Sequence, residues 1–216
     1  MRSEQPLPGN PWPHDMVITL DDSSQALLQL LWLREAYDLP VVGDVPPPLT
    51  DTPARASRAL SEDQRAQWTR EWPRIWDAIT RHTAIEHDPL LIERAMAAGI
   101  GSPERLELLQ QMAGPSWLDA FGDDAFADPS YEEWGRRGFE AAMASHDRAL
   151  KEQPERRDLA ALVPAWERGL TTIVTIPCRG SFTRTLTPAS LLVTNETRAD
   201  SGAYRAALRS FVDLQH

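Results

Sequence analysis

The sequence predicts an α+β fold, mostly helical over its first two-thirds and closing with a small sheet and a terminal helix. Three observations carry that prediction. Apolar residues recur at helical spacing from about residue 22 to 168, short β-branched runs replace them after Gly169, and helical spacing returns from about Asp200. Helices first and a compact sheet last is the α+β order. At 216 residues and 42% hydrophobic, the chain has material for a sizeable core. It divides into an irregular arm over residues 1–15 and one globular domain over 16–216. The helical part of that domain covers about 22–168 and the sheet-plus-helix part about 169–216.

The arm is polar and holds four prolines. "MVITL" (16–20) is rich in β-formers and bounded by aspartates, so it predicts a strand able to join the sheet from the far end of the chain. Asp22 and Gln25 are spaced as a capping box for a helix carrying Leu27, Leu28, Leu31 and Trp32, which ends before Pro40. "VVGDVPPPLTDTP" (41–53) is predicted as a loop, because prolines remove donors and push their predecessors to extended geometry.

Ser61 and Gln64 form a second capping box and open the tryptophan helix, "QWTREWPRIW". At 100° per residue, Trp68, Trp72, Ile75, Trp76 and Ile79 fall within about 100° of one another. The isoleucines in that row predict a buried seam. Pro73 predicts a kink or break, and Trp68, nearest the start, is left to face a partner.

Two punctuated helices follow. Asp88, Pro89 and Gly99 bracket the first; Ser102, Pro103 and Gly114 bracket the second. Ser130 with Glu133 predicts the start of a long helix reaching about residue 151, with Phe139, Met143 and Leu150 on its apolar side and His146 at the core edge. "DLAALVPAWER" (158–168) has helical spacing, with Pro164 kinking or dividing it. "TTIVTI" (171–176), "SFTRTLT" (181–187) and "SLLVT" (190–194), separated by Pro177, Gly180 and Pro188, predict an antiparallel meander of three strands. The last helix should turn Tyr204, Ala207, Leu208 and Phe211 inward.

Charge narrows the function classes. The net charge is −10, and residues 1–168 alone hold 17 basic against 29 acidic residues. Duplex binding depends on clustered cations that displace counterions, so this chain is a poor nucleic-acid binder. Arg65, Arg70, Arg74 and Arg81 around the tryptophans are matched by Glu62, Asp63, Glu71 and Asp77, which removes the positive groove that single strands need. No apolar run approaches the length of a membrane span, and the N-terminus lacks a signal-peptide pattern, so the expected location is cytoplasmic. One cysteine excludes an internal disulfide and a cysteine-rich zinc site. His82, Glu86, His87 and Asp88 do not have zincin spacing and read as a helix end and a cap, so no metal is expected. No phosphate-binding or dinucleotide-binding glycine motif is present, and no cofactor is expected.

Two segments carry candidate function. In "TTIVTIPCRGSFTRT", Cys178 is followed six residues on by Arg184 and then Thr185. That skeleton resembles the phosphate-binding loop of protein tyrosine phosphatases over about eight residues. The resemblance implies a thiolate nucleophile at Cys178, a phosphate fork at Arg184 and a general acid such as Asp200 or Asp124. The chain departs from that pattern with Pro177 before the cysteine, one glycine in the loop, and a predicted strand where a helix is required. The other reading is a hairpin turn, "PCRGS".

The second segment runs from Glu107 to Glu133, with seven acidic residues and no basic one. Phe121 and Phe126 punctuate Asp123, Asp124 and Asp128. Acidic loops with aromatic punctuation suit a basic protein surface, the charge steering encounter and the rings anchoring it. The expectation is a non-enzymatic adaptor or immunity-like protein binding a basic partner through Phe121, Asp123, Asp124, Phe126, Asp128 and Trp68. The alternative is a cysteine-dependent phosphatase.

Overall fold

The structure is a computed structural model that describes residues 11–22, 24–85, 90–151 and 153–213, the side chains of 145–151 excepted. It is α+β, with a four-stranded sheet between two helical layers. The strands are β1 (Thr19–Asp21), β2 (Thr172–Ile176), β3 (Thr183–Thr187) and β4 (Ser190–Thr194), in the order β1-β2-β4-β3. β1 pairs with β2 and β2 with β4 in parallel, and only β3 and β4 form an antiparallel pair. The expected antiparallel meander is therefore corrected to a mixed sheet. The physical reason lies in burial. β4 is buried at every position and β2 at all but its first, the state of a central strand covered on both faces, whereas β3 is mostly half-buried and takes the edge.

Side chains alternate across the sheet. Val174, Ile176 and Leu192 join one core cluster; Ile173, Leu191 and Val193 join the other. The first cluster belongs to α1 (Gln25–Ala36) and α2 (Glu62–Thr83), the second to α8 (Leu159–Glu167) and α10 (Ser201–Asp213).

α1 is buried nearly all round, and its N-cap is Ser24, with no side-chain bond to the helix, so the proposed Asp22 capping box is not made. The helix closes by a Schellman arrangement. Asp38 takes a left-handed φ of 51°, its N–H reaches the Glu35 carbonyl, and the Leu39 N–H reaches the Arg34 carbonyl at 2.8 Å. Arg65 of α2 donates to the Tyr37 and Asp38 carbonyls, both at 2.7 Å.

The 41–53 loop is irregular as expected, and its prolines explain how it is held. A run of prolines presents carbonyls without amides, so its partners must be donors. Buried Arg34 supplies them, to Pro46 at 2.6 Å and Pro47 at 2.8 Å, while lying over the Trp72 ring.

α2 opens with the expected Ser61–Gln64 capping box and runs through Pro73 unbroken. Trp72 and Trp76 stack at 5.3 Å with an 8° tilt on either side of the proline, and the Trp72 indole donates to the Leu30 carbonyl. Tertiary packing holds the turn that proline weakens. α3 (Leu91–Ala97) and α4 (Pro103–Ala113) follow; Ser102 caps α4 as expected. Gly114 ends α4 at φ 67°, where a Cβ would lie 2.0 Å from the His82 ring. The Asp88 cap and Pro89, with Glu86 and His87, lie outside the described residues.

α5 (Trp117–Phe121) leads through a 3₁₀ turn to α6 (Pro129–Lys151). The cap of α6 is Asp128, whose Oδ1 accepts the Ser130 N–H and hydroxyl, so the expected Ser130 cap is moved two residues back. Trp134 packs inward, but every residue from Gly138 to Ala144 is exposed. Phe139 and Met143, expected on the apolar side of this helix, are 67% and 62% exposed, so between Gly138 and Ala144 that stripe is left uncovered. His146 and Leu150 lie among the side chains not described. α7 (Pro154–Arg157) and α8 divide at Asp158, not at Pro164. α9 (Asn195–Ala199), capped by Thr194, precedes α10, whose Tyr204, Ala207, Leu208 and Phe211 are buried as expected.

Candidate functional site

The segment after β2 crosses over β4 to reach the edge strand, and its backbone groups go to several neighbours. The Arg179 N–H donates to the Pro48 carbonyl, that of Gly180 to the Glu196 carboxylate at 2.6 Å, and that of Phe182 to the Thr197 hydroxyl. A phosphate cradle needs such amides converging on one point. Here each has a different protein acceptor, and the one carboxylate present is the chain's own Glu196.

Cys178 is fully buried and pairs by a β-bridge with Leu49. Burial pushes its thiol up to about 12, against a smaller opposing effect of the Arg34 charge. A nucleophilic thiolate needs the reverse, a lowered pKa and access. Arg184 is turned to α2 and the proline loop, donating to Asp77 at 2.9 Å and lying 3.5 Å from Asp44. Asp200 caps α10 through the Ala203 N–H, and Asp124 faces Arg58 at 3.7 Å. The residues of the phosphatase reading are thus assigned separate structural contacts. The segment is neither that loop nor a simple hairpin turn, since the partner strand β4 lies inside β3.

The acidic segment is divided by the fold. Asp128 is 8% exposed, its Oδ2 accepting the Ser57 N–H and hydroxyl at 2.8 and 2.6 Å while Oδ1 serves Ser130. Burial alone would raise this carboxyl, but the bonds from Ser57 and Ser130 outweigh it and hold the group well below the usual carboxylate range. Phe121 and Phe126 are half-buried: Phe121 stacks on Trp117 at 4.4 Å, and Phe126 sits against Trp32 and Tyr131. Trp68, expected to face a partner, is 8% exposed and packs edge-on to Tyr37 and Trp117. The correction has one cause. α5 packs on Trp68 of α2 and the turn after it packs on Trp32 and Tyr37 at the end of α1, so the indole and both rings share one aromatic cluster.

Asp123 and Asp124 remain exposed, as do Glu107, Asp119, Glu132 and Glu133. Among the described residues, Arg58 reaches Asp124, Arg137 reaches Glu133, and the other exposed carboxylates of the segment meet no cation. The negative field of this segment is therefore only partly cancelled.

The structure adds residues that sequence reasoning passed over. Ile92 and Met96 on α3, Ile100 in the turn, and Leu106 and Leu109 on α4 are all exposed, and α4 has no buried residue. The signal was present. In "LLIERAMA" the apolar positions fill two helix stripes, one more than a surface helix can bury. Among the described residues no cluster of histidine, cysteine and carboxylates has metal-holding geometry, and no helix is long and apolar enough to cross a membrane.

Compared with protein-family models, curated proteins and solved structures, the chain matches none.

Proposed function

We propose that this chain is a non-enzymatic, protein-binding protein that engages a basic partner surface through the acidic side formed by residues 107–133. One observation supports the reading above others: six of the seven carboxylates in that stretch face solvent, and among the described residues two arginines are all that reach them. A field of one sign raises encounter rates with an oppositely charged partner and rejects partners of like charge. Trp68 and Asp128 leave the binding set because the fold uses them internally; Asp123 and Asp124 remain as its centre. The alternative phosphatase reading loses its chemistry where Cys178 is buried and the amides of Arg179, Gly180 and Phe182 are already bonded.

The test is affinity purification of the wild-type chain and of the double variant Asp123→Lys, Asp124→Lys from the native cells. A basic protein is expected with the wild type, released by salt and depleted at least tenfold with the variant. Equal recovery on both overturns the proposal. In parallel, the purified chain should not hydrolyse an aryl phosphate; hydrolysis abolished by Cys178→Ser would establish the alternative.

A further inference from the structure

The hairpin of α3 and α4 buries a few apolar residues and leaves others open. Leu91 and Ala95 are buried, and the α4 C-terminus meets α2 where His82 lies 3.3 Å from the Met112 carbonyl. Ile92 and Met96 stand exposed one turn apart on α3, and Leu106 and Leu109, three residues apart, are exposed on α4. Ile100, at the turn between the helices, is 95% exposed, and Met96 is 72% exposed. Single exposed apolar residues are ordinary on a protein surface. Five on one two-helix unit make an unpartnered face of the kind that receives another helix.

Charge says what that helix carries. The exposed charged residues of the two helices are Glu93, Arg94, Glu104 and Glu107, three acidic to one basic, while Arg105 is half-buried and donates toward the Ala98 carbonyl. Beyond α4 the chain continues into Asp119, Asp123 and Asp124. A second copy of this chain would bring like charge against like charge, which disfavours self-association here. A helix with an apolar stripe and lysine or arginine flanks meets both requirements. We infer that the α3–α4 face is the seat of a basic amphipathic helix of the partner, with Met96, Ile100 and Leu106 as its anchors. This rests on the acidic-surface reading and deepens it by naming where the partner is anchored and what form it takes.

The probe is a fluorescein-labelled peptide of leucines and lysines at helical spacing, about five turns long, measured by anisotropy on the full chain. A control peptide has glutamate in place of every lysine. The inference expects saturable binding of the lysine peptide alone, weakened at least tenfold by the double variant Met96→Asp, Leu106→Asp, whose exposed positions leave folding intact as judged by circular dichroism. Asp123→Lys with Asp124→Lys should instead flatten the salt dependence. Equal binding to wild type and Met96→Asp, Leu106→Asp, with the salt dependence retained, overturns the seat and leaves the acidic reading standing. Binding of the glutamate peptide as tightly as the lysine peptide, or no binding of either, overturns both. A wild-type dimer that Met96→Asp, Leu106→Asp converts to monomer overturns the inference in favour of a second copy.

Discussion

At Asp128 one carboxylate caps α6 and ties down Ser57, which lies 71 residues away in sequence. Its four accepted bonds come in two pairs, one on each oxygen. Asparagine keeps the shape but presents an NH₂ to one of those pairs, whichever way the amide is turned. Asp128→Asn is expected to lose about 1–3 kcal/mol at neutral pH, the scale of a buried donor left unpaired. The pH dependence has a definite sign. The folded-state pKa lies below the unfolded one, so protonation favours the unfolded chain. The contribution of Asp128 is complete above the ordinary carboxylate range, near pH ~4, and is lost as pH falls toward the folded value. Urea denaturation of wild type and Asp128→Asn should therefore show a gap at neutral pH that narrows by about pH 3; a gap independent of pH would remove the ionised carboxylate from the explanation. The role of Asp128 was within reach of the sequence, because Asp128–Pro129 repeats the cap-then-proline grammar that holds at Ser102–Pro103. The nearby Ser130–Glu133 pair offered a competing signal, and Ser57, the partner that decides the matter, is distant in sequence.

Helix ends separate what local chemistry can announce from what it cannot. The Ser61–Gln64 box and the Ser102 cap were legible because donor and acceptor lie within one turn of each other. The end of α1 was not, beyond the limit set by Pro40. Its left-handed position holds aspartate instead of glycine, and its last carbonyls are served by Arg65 from another helix. Long-range partners of this kind leave no periodic trace. The same limit applies to α6, where periodicity revealed an apolar stripe at Phe139 and Met143 but not whether anything covers it. Asp38 also offers a stabilising change. A non-glycine residue at positive φ is strained by roughly 1 kcal/mol, less for aspartate than for most residues, and the Asp38–Arg55 pair at 3.1 Å is exposed on both sides and worth little. Asp38→Gly should preserve the Schellman bonds and raise the thermal midpoint slightly, by the equivalent of about 0.5 kcal/mol. A lower midpoint would mean that the aspartate holds the loop by more than its visible contacts.

The whole molecule depends on a sheet whose two central strands, β2 and β4, are buried on both faces. The alternation expected of an antiparallel meander is absent from β2 and β4, where the consecutive apolar runs Ile173–Val174 and Leu191–Val193 put apolar side chains on both faces. Such runs indicate burial on both faces and hence parallel neighbours between layers, a signal that the short, turn-like segments around them masked. The strand order followed from what no local pattern encodes, the passage of residues 177–182 across β4. Because the two cores share one sheet, they should unfold together. β2 offers a matched test: Ile176 belongs to the cluster of α1 and α2, Ile173 to that of α8 and α10, and both are fully buried. Each Ile→Ala change removes the same atoms from opposite layers and should cost about 2–5 kcal/mol. In guanidinium, both variants are expected to shift one transition, with tryptophan fluorescence and far-ultraviolet dichroism still coincident. The tryptophans divide unequally between the layers: Trp32, Trp68, Trp72, Trp76, Trp117 and Trp134 lie in the first cluster, while Trp12 and Trp166 pack on the second. Fluorescence therefore reports mainly the α1–α2 layer, whereas dichroism reports helices in both. If Ile173→Ala moves the dichroism transition while fluorescence stays at its wild-type midpoint, the layers are independent and the shared sheet does not couple them.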